Sequence, residues 1–110
     1  MKVSLIRCMQ TEDMCPGTTC FKVMKDKKLA FDGITEDIEI IGVNTCGDCP
    51  GKKAVTRALE MVKSGADTIV FASCIFKGTP IGFSCPHAQI IKDAIGRKLG
   101  DTVRIIDYTH

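Results

Sequence analysis

Seven cysteines carry the clearest chemistry in this chain, and two of them form a Cys-x-x-Cys motif, Cys46 and Cys49. The motif follows an apolar run and precedes a segment with the periodicity of an amphipathic helix. At a helix N-terminus, unpaired backbone N–H groups and the helix dipole both favour negative charge. They stabilise the thiolate, which is the form of cysteine that binds metals and attacks disulfides. The motif therefore predicts thiolate chemistry, and its spacing is shared by redox dithiols and by half of a metal site.

Length and composition are those of one soluble domain. The chain has 110 residues, of which 45% are hydrophobic and 25% charged, so a core can form without disulfide staples. The formal net charge is only +2, and with no Trp and one Tyr we expect no nucleic-acid partner. No apolar run is long enough to span a bilayer, and the N-terminal one is too short for a signal peptide. We therefore expect a cytoplasmic protein, in which cysteines more often serve metal binding or catalysis than disulfides.

Four apolar runs predict strands, and three segments predict helices. The predicted strands are residues 3–7, 39–43, 68–72 and 103–108. The predicted helices are residues 21–28, 53–64 and 87–99. In the second helix the inward stripe is expected to be Val55, Leu59 and Val62, with Ala54, Ala58 and Met61 beside it. Residues 75–86 are expected to form a long loop, in which Ile81 and Phe83 provide an apolar cover or a dimer contact.

The alternation of strands and helices predicts one three-layer α/β/α domain over residues 1–110, with a four-stranded parallel sheet. Continuous apolar runs in the second and third strands agree, because both faces of such strands are covered. The expected strand order is 2-1-3-4, as in flavodoxin-like winding. No helix follows the fourth strand, so we expect either a homodimer or cover of that face by the long loops.

This fold would bring the cysteines to one edge of the sheet. The carboxyl ends of parallel strands lie together, about 4.8 Å apart, so side chains from several strands can reach a common point. The residues at the four strand ends are Cys8, Cys46, Cys74 and His110. The loops that rise from the same edge carry Cys15, Cys49, Cys85 and His87. So many soft donors at one edge are typical of a zinc or iron–sulfur site.

We therefore predict a metal site at this edge. The preferred ligands are Cys46, Cys49, Cys74 and Cys85, and the further candidates are Cys8, Cys15 and His87. Zinc is the first choice, because thiolate and imidazole donors suit it, and an iron–sulfur cluster is the alternative. Cys20 is assigned to the core, since it lies on the inward side of the first predicted helix.

A thiol–disulfide enzyme is the competing interpretation of the same motif. In such an enzyme Cys46, taken as the exposed member of the pair, would attack the substrate and Cys49 would resolve. Pro80 and Pro86 are the candidates for the cis-proline that faces a thioredoxin-like motif. The larger number of sulfurs at the edge favours the metal site.

Several stretches of the sequence resemble the CGGC domain family. They are Arg7-Cys8, Cys15-Pro16-Gly17-Thr18-Thr19, Cys46-Gly47-Asp48-Cys49-Pro50-Gly51-Lys52, Ala72-Ser73-Cys74 and Cys85-Pro86-His87. The resemblance covers essentially the whole chain and implies a metal-binding domain, with zinc indicated by the recurring Cys and His residues, and no particular reaction. The chain departs from the family name at Asp48, where Gly is expected. Gly permits a positive φ that Asp adopts at some cost, so Asp48 is expected either to strain the turn or to cap the following helix.

Overall fold

Four parallel strands form one sheet in the order β2-β1-β3-β4, which confirms the predicted topology. The computed structural model describes residues 1–110. The strands are β1 (Lys2–Arg7), β2 (Glu39–Thr45), β3 (Thr68–Phe71) and β4 (Arg104–Ile106). β1 lies between β2 and β3, and β4 pairs with β3. Every residue of β3 is buried, as expected of a central parallel strand that is covered on both faces.

The helices lie on both faces of the sheet, as in a three-layer α/β fold. They are α1 (Thr18–Asp26), α2 (Lys52–Lys63), α3 (Ser73–Phe76) and α4 (Ala88–Leu99). Single 3-10 turns occupy Met9–Thr11, Leu29–Phe31 and Gly100–Thr102. Right-handed crossovers place α1 on one face and both α2 and α4 on the other, where these two helices contact each other. None of the helices has the length and apolarity that crossing a membrane requires.

Three predicted segments differ from the structure, and one of them is the fourth strand, which spans Arg104–Ile106 instead of residues 103–108. The first helix begins at Thr18, three residues before the predicted start, because Gly17 adopts a left-handed conformation (φ +87°) immediately before it. The predicted loop 75–86 is partly helical, since α3 continues directly from the end of β3. Gly78 ends this short helix with φ +75°, and the chain then turns back so that the Cys85 N–H donates to the Ile75 carbonyl at 2.7 Å.

The buried stripe of α2 consists of the residues predicted to lie beside the branched stripe, and two of the three are alanines. Ala54, Ala58 and Met61 are buried, whereas Val55, Leu59 and Val62 are only half-buried. Alanine lets the α2 backbone approach its neighbours closely. At the start of α2, a Cβ on Gly51 would lie 2.3 Å from Cδ1 of Ile91 in α4, which shows how tightly the two helices pack.

The last residues of the chain lie against α1. Thr109 is fully buried, and its hydroxyl is 3.2 Å from the Cys20 sulfur. The Ser73 hydroxyl accepts from the backbone N–H groups of Thr109 and His110, at 3.0 and 2.9 Å. This segment and the buried Phe31 supply cover by loops on the α1 face. The homodimer stays a prediction, which light scattering at tens of micromolar protein would test.

Asp67 ties three strands together at the amino edge of the sheet. Its backbone N–H donates to the Lys2 carbonyl and its carbonyl accepts from the Arg104 N–H, both at 3.0 Å. Its carboxylate accepts from the Thr68 hydroxyl at 2.8 Å and from the Lys2 N–H at 3.1 Å. The hydrogen bond from Thr68, with a smaller contribution from Lys2, lowers the pKa of Asp67 below its usual value.

We expect Asp67→Asn to lower the free energy of unfolding by about 0.5–1 kcal/mol at pH 7, since the charge-assisted bonds become neutral ones at an exposed site. A lowered folded-state pKa gives stability that is present above the unfolded pKa and is lost as the pH falls through the folded one. Urea unfolding at pH 7 and at acid pH measures this difference. Asp32→Asn is the control, because the exposed carboxylate of Asp32 has no hydrogen bond or ion pair; an equal effect of both substitutions would contradict the assignment.

Candidate functional site

Three cysteines follow directly from the carboxyl ends of the strands. Cys8 comes after β1, Cys46 comes after β2, and Cys74 lies in the first turn of α3 after β3. Sheet pairing continues up to these residues, because the Cys46 N–H donates to the Arg7 carbonyl at 2.8 Å and the Ala72 N–H to the Ile6 carbonyl at 2.9 Å. The sheet itself therefore fixes the backbone that carries these sulfurs.

Cys8 and Cys74 are linked by a hydrogen bond from backbone to sulfur. The Cys8 N–H donates to the Cys74 sulfur at 3.2 Å. Burial raises the pKa of the Cys8 thiol; the backbone N–H of Gln10 opposes this, and repulsion from Cys74, Cys46 and Cys85 adds to it. Three other thiols therefore lie close enough to Cys8 for charges on them to repel.

Cys85 connects the Cys-x-x-Cys turn to these residues. Burial raises the pKa of its thiol, the backbone N–H of His87 opposes this, and repulsion from Cys49 and Cys46 adds to it. We call Cys8, Cys46, Cys49, Cys74 and Cys85 the rim cluster. It contains the four preferred ligands of the sequence prediction and one of the further candidates.

The two cysteines of the motif differ in exposure in the opposite sense to the prediction. Cys46 is buried, with 7% of its surface accessible, whereas Cys49 is exposed. The reason is that α2 begins only at Lys52, so the turn between β2 and α2 carries Cys49 outward while Cys46 still continues the strand. Pro50 consequently precedes the helix instead of occupying its first turn. The Cys49–Pro50 and Thr79–Pro80 bonds are cis, and Pro86 is not.

Asp48 shapes this turn from the position where the family name has Gly. It adopts φ +87°, as a glycine would, and its carboxylate accepts from the Cys49 N–H at 2.9 Å and from the Gln10 side chain at 2.8 Å. It does not cap α2, whose N-cap residue is Gly51 without a side-chain hydrogen bond. The prediction that Asp48 caps the helix is therefore wrong, and its carboxylate instead joins the turn to the segment after Cys8.

Two side chains that the sequence analysis did not single out support the same region. The Arg57 guanidinium in α2 donates to the Thr45 carbonyl at 3.0 Å and to its hydroxyl at 2.9 Å, just before Cys46. Gln10 binds Asp48 as described above. Neither residue belongs to a motif, and only the assembled fold shows that they contact the rim.

The remaining predicted residues lie outside the rim cluster. Cys20 is buried in α1, in agreement with its assignment to the core. Cys15 and Cys20 both line a cavity of about 280 Å³, whose wall also includes Cys74. His87 is half-buried and is the N-cap residue of α4. Its side chain makes no hydrogen bond or ion pair, and its backbone N–H opposes the rise in the pKa of Cys85. The prediction that His110 ends the fourth strand is wrong, because β4 ends at Ile106; His110 lines the same cavity as Cys15.

The rim cluster has the donor chemistry of a zinc or iron–sulfur site, because thiolate sulfurs are the preferred ligands of both. With the side chains as they stand, no group of three or more His, Cys, Asp or Glu side chains is arranged to hold one metal ion. Rotation about χ1 moves a thiol sulfur among three staggered positions without moving the backbone. The donors therefore fit such a metal in kind, and binding requires side-chain rotation within the cluster.

Comparison with known proteins agrees with this description. The chain matches the CGGC domain over residues 2–110. It is 34% identical over 111 aligned residues to the uncharacterised protein MJ0582 of Methanocaldococcus jannaschii, which covers 96% of this chain and 81% of that protein. The uncharacterised protein MJ0766 of the same organism is 33% identical over 64 residues, which are 57% of this chain and 91% of that protein. No solved structure matches the chain. The chain therefore belongs to the CGGC domain family.

Proposed function

We propose that the rim cluster binds a metal, with zinc as the first choice and an iron–sulfur cluster as the alternative. The observation that carries the proposal is the convergence of five cysteines, from four segments of the chain, at the carboxyl edge of the parallel sheet. The Cys74 sulfur accepts a hydrogen bond from the Cys8 N–H at 3.2 Å, and the Cys85 N–H donates to the carbonyl of Ile75, the residue after Cys74. A neutral thiol is a weak acceptor, whereas a thiolate is stabilised strongly by such donors. Burial raises the pKa of the Cys8 and Cys85 thiols, so these two need a cation nearby to be held as thiolates.

A cation is what such a cluster needs to hold several thiolates at once. The lysines that follow the motif, Lys52 and Lys53, are both exposed, so they compensate buried charge poorly. A divalent ion bound among the sulfurs would neutralise them directly and would release their protons. Zinc takes four such ligands in a structural site.

We propose a ligand set drawn from the rim cluster alone. Cys46 lies beside the end of β1, because its N–H donates to the Arg7 carbonyl, and Cys74 contacts the Cys8 N–H. Cys85 is returned to Ile75, the residue after Cys74, and Cys49 is carried by the same turn as Cys46. Cys15 is left out, because it lines the cavity together with Arg7 and Cys20. When bound, the metal would supply positive charge and would join the turn 46–49 to the loop that carries Cys85.

Metal analysis of protein purified anaerobically without a metal-affinity tag tests the proposal. We expect close to one equivalent of zinc; iron with acid-labile sulfide would instead support the cluster alternative. Less than about a tenth of an equivalent of any transition metal, with all seven thiols free, would overturn both forms of the proposal.

The unequal exposure of Cys46 and Cys49 favours a second candidate function, thiol–disulfide exchange, with the roles reversed from the sequence prediction. The exposed Cys49 thiolate would attack a substrate disulfide, form a mixed disulfide and release one substrate thiolate. The Cys46 thiolate would then attack the Cys49 sulfur, leave a Cys46–Cys49 disulfide and release the second substrate thiolate, after which an external dithiol would restore the enzyme.

Reductase assays on three variants separate the two functions. Loss of activity in Cys49→Ser, with Cys74→Ser and Cys85→Ser fully active, would establish the dithiol enzyme. We expect no significant reductase activity in the parent protein, because three further sulfurs accompany the pair and a two-electron exchange uses only two.

A further inference from the structure

A cavity of about 280 Å³ opens at the point where the sheet reverses its winding. Its wall includes Arg7 from the end of β1, and Ala72 and Cys74 from the segment after β3. The crossover that follows β1 leads to α1 on one face, and the crossover that follows β3 leads to α4 on the other. Open α/β sheets bind ligands at this position, outside the carboxyl ends of the two central strands.

The charged group in the wall of the cavity is a cation without an acidic partner. The half-buried Arg7 guanidinium donates to the Cys15 carbonyl and forms no ion pair. The residues that line the cavity include no Asp and no Glu. With its cysteine thiols protonated, the wall of the cavity therefore carries the Arg7 cation and no side-chain carboxylate.

The guanidinium also lies at the positive end of a helix. A Cβ added at Gly17, the N-cap of α1, would be 3.5 Å from Arg7 Nε. The N–H groups of Thr18, Thr19 and Cys20 have no acceptor in the protein, and Gly17 has no side chain to supply one. A cation beside a helix N-terminus is electrostatically unfavourable, and a bound anion converts that repulsion into two attractions.

We infer that this cavity binds a small molecule that carries an oxyanion, a phosphate or a carboxylate. The anionic group is held by the Arg7 guanidinium and the first-turn N–H groups of α1, and the remainder lies against Cys15 and Cys74. Guanidinium groups bind both kinds of oxyanion through paired hydrogen bonds. Anion binding does not require a bound metal, so a failure of the metal proposal would leave this inference unaffected, and the reverse also holds. Because Cys74 borders both regions, the bound molecule would lie next to the rim cluster.

An NMR titration tests the inference on nitrogen-15-labelled protein, purified anaerobically and kept reduced. Inorganic phosphate is added in one series and acetate in another, with ionic strength held constant by chloride. We expect the amide signals of Thr18, Thr19 and Cys20 to shift and to saturate in the millimolar range or below. Saturation by phosphate alone, or by acetate alone, identifies the anionic group. No saturation with either probe would overturn the inference.

Two variants of Arg7 and one control complete the test. Arg7→Gln should weaken binding by at least about tenfold. Arg7→Lys keeps the positive charge but loses the two parallel N–H donors of the guanidinium, and it should weaken binding less. Arg97→Gln removes an exposed arginine of α4 and should leave the saturation curve unchanged. Well-dispersed spectra show that each variant is folded. Should Arg7→Gln fail to fold, Arg7→Lys alone decides, and a curve identical to that of the parent protein would contradict the site.

Discussion

Cys85→Ser should lower the affinity of the protein for zinc by at least about a hundredfold, which exceeds the typical loss on mutation of an outer-shell partner. Cys85 is the neighbour of both Cys46 and Cys49, and its own charge repels that of Cys8. In the proposed site, replacing its sulfur with a hydroxyl would remove a thiolate ligand and leave the metal under-coordinated. Competition with a chromophoric zinc chelator under anaerobic conditions measures the change.

Cys15→Ser is the matched control for this prediction. The substitution is the same, and Cys15 is half-buried like Cys85, but it lies at the cavity beside Cys20 rather than in the rim cluster. We expect its zinc affinity to equal that of the parent protein. An equal loss of zinc affinity in both variants would show that the ligand set includes Cys15. No loss in either variant would show that Cys85 is not a ligand.

We expect Gly78→Ala to lower the free energy of unfolding by about 3–4 kcal/mol, combining strain at positive φ with a backbone clash. Gly78 has φ +75°, and a Cβ there would lie 2.1 Å from the carbonyl carbon of Phe83 and 2.3 Å from the Ser84 nitrogen. Because both contacts are to backbone, no side-chain rotation relieves them, and residues 83 and 84 must move. Urea unfolding of the reduced, metal-free protein measures the loss. The movement should also displace Cys85 and weaken zinc binding.

Two other glycines separate the contributions to this loss. Gly82 has φ +84° but open space around it, so Gly82→Ala should cost only the conformational strain, about 1–2 kcal/mol. Gly96 lies inside α4 with neither positive φ nor a close neighbour, so Gly96→Ala should stabilise by about 0.5–1 kcal/mol. If Gly78→Ala is no less stable than Gly82→Ala, residue 78 does not pack against the backbone of residues 83 and 84 as described.

The sheet was predictable because its determinants are local and repeated. Four apolar runs of strand length, separated by helical periodicity, allow few arrangements once crossovers are right-handed. The order 2-1-3-4 and the strand ends at Cys8, Cys46 and Cys74 follow from that reasoning. The buried stripe of α2 differs from the predicted one because periodicity identifies an apolar face of the helix but not its most buried line. That line contains Ala54 and Ala58, whose small side chains let the helix backbone approach its neighbours closely.

The arrangement of the thiols depends on backbone details that sequence patterns do not report. Cys49 is exposed because α2 starts three residues after it, and Asp48 adopts a conformation that its residue type does not favour. Cys15 faces the cavity because the helix after it begins early, at Thr18. The position of Cys85 depends on the turn at Gly78, where the backbone packs against residues 83 and 84 of the same loop.

The four chain segments that meet at the rim are far apart in sequence, and this sets what a fragment of the protein can do. In an unfolded chain, bringing Cys8, Cys46, Cys74 and Cys85 together would require closing several long loops, at a cost in chain entropy. Folding of the sheet meets that cost before any ligand arrives, so the sulfurs act at a high effective concentration. A peptide that spans only residues 44–52 contains the whole Cys-x-x-Cys motif and none of this preorganisation. Its affinity for any ligand shared among the segments must therefore fall far below that of the folded domain.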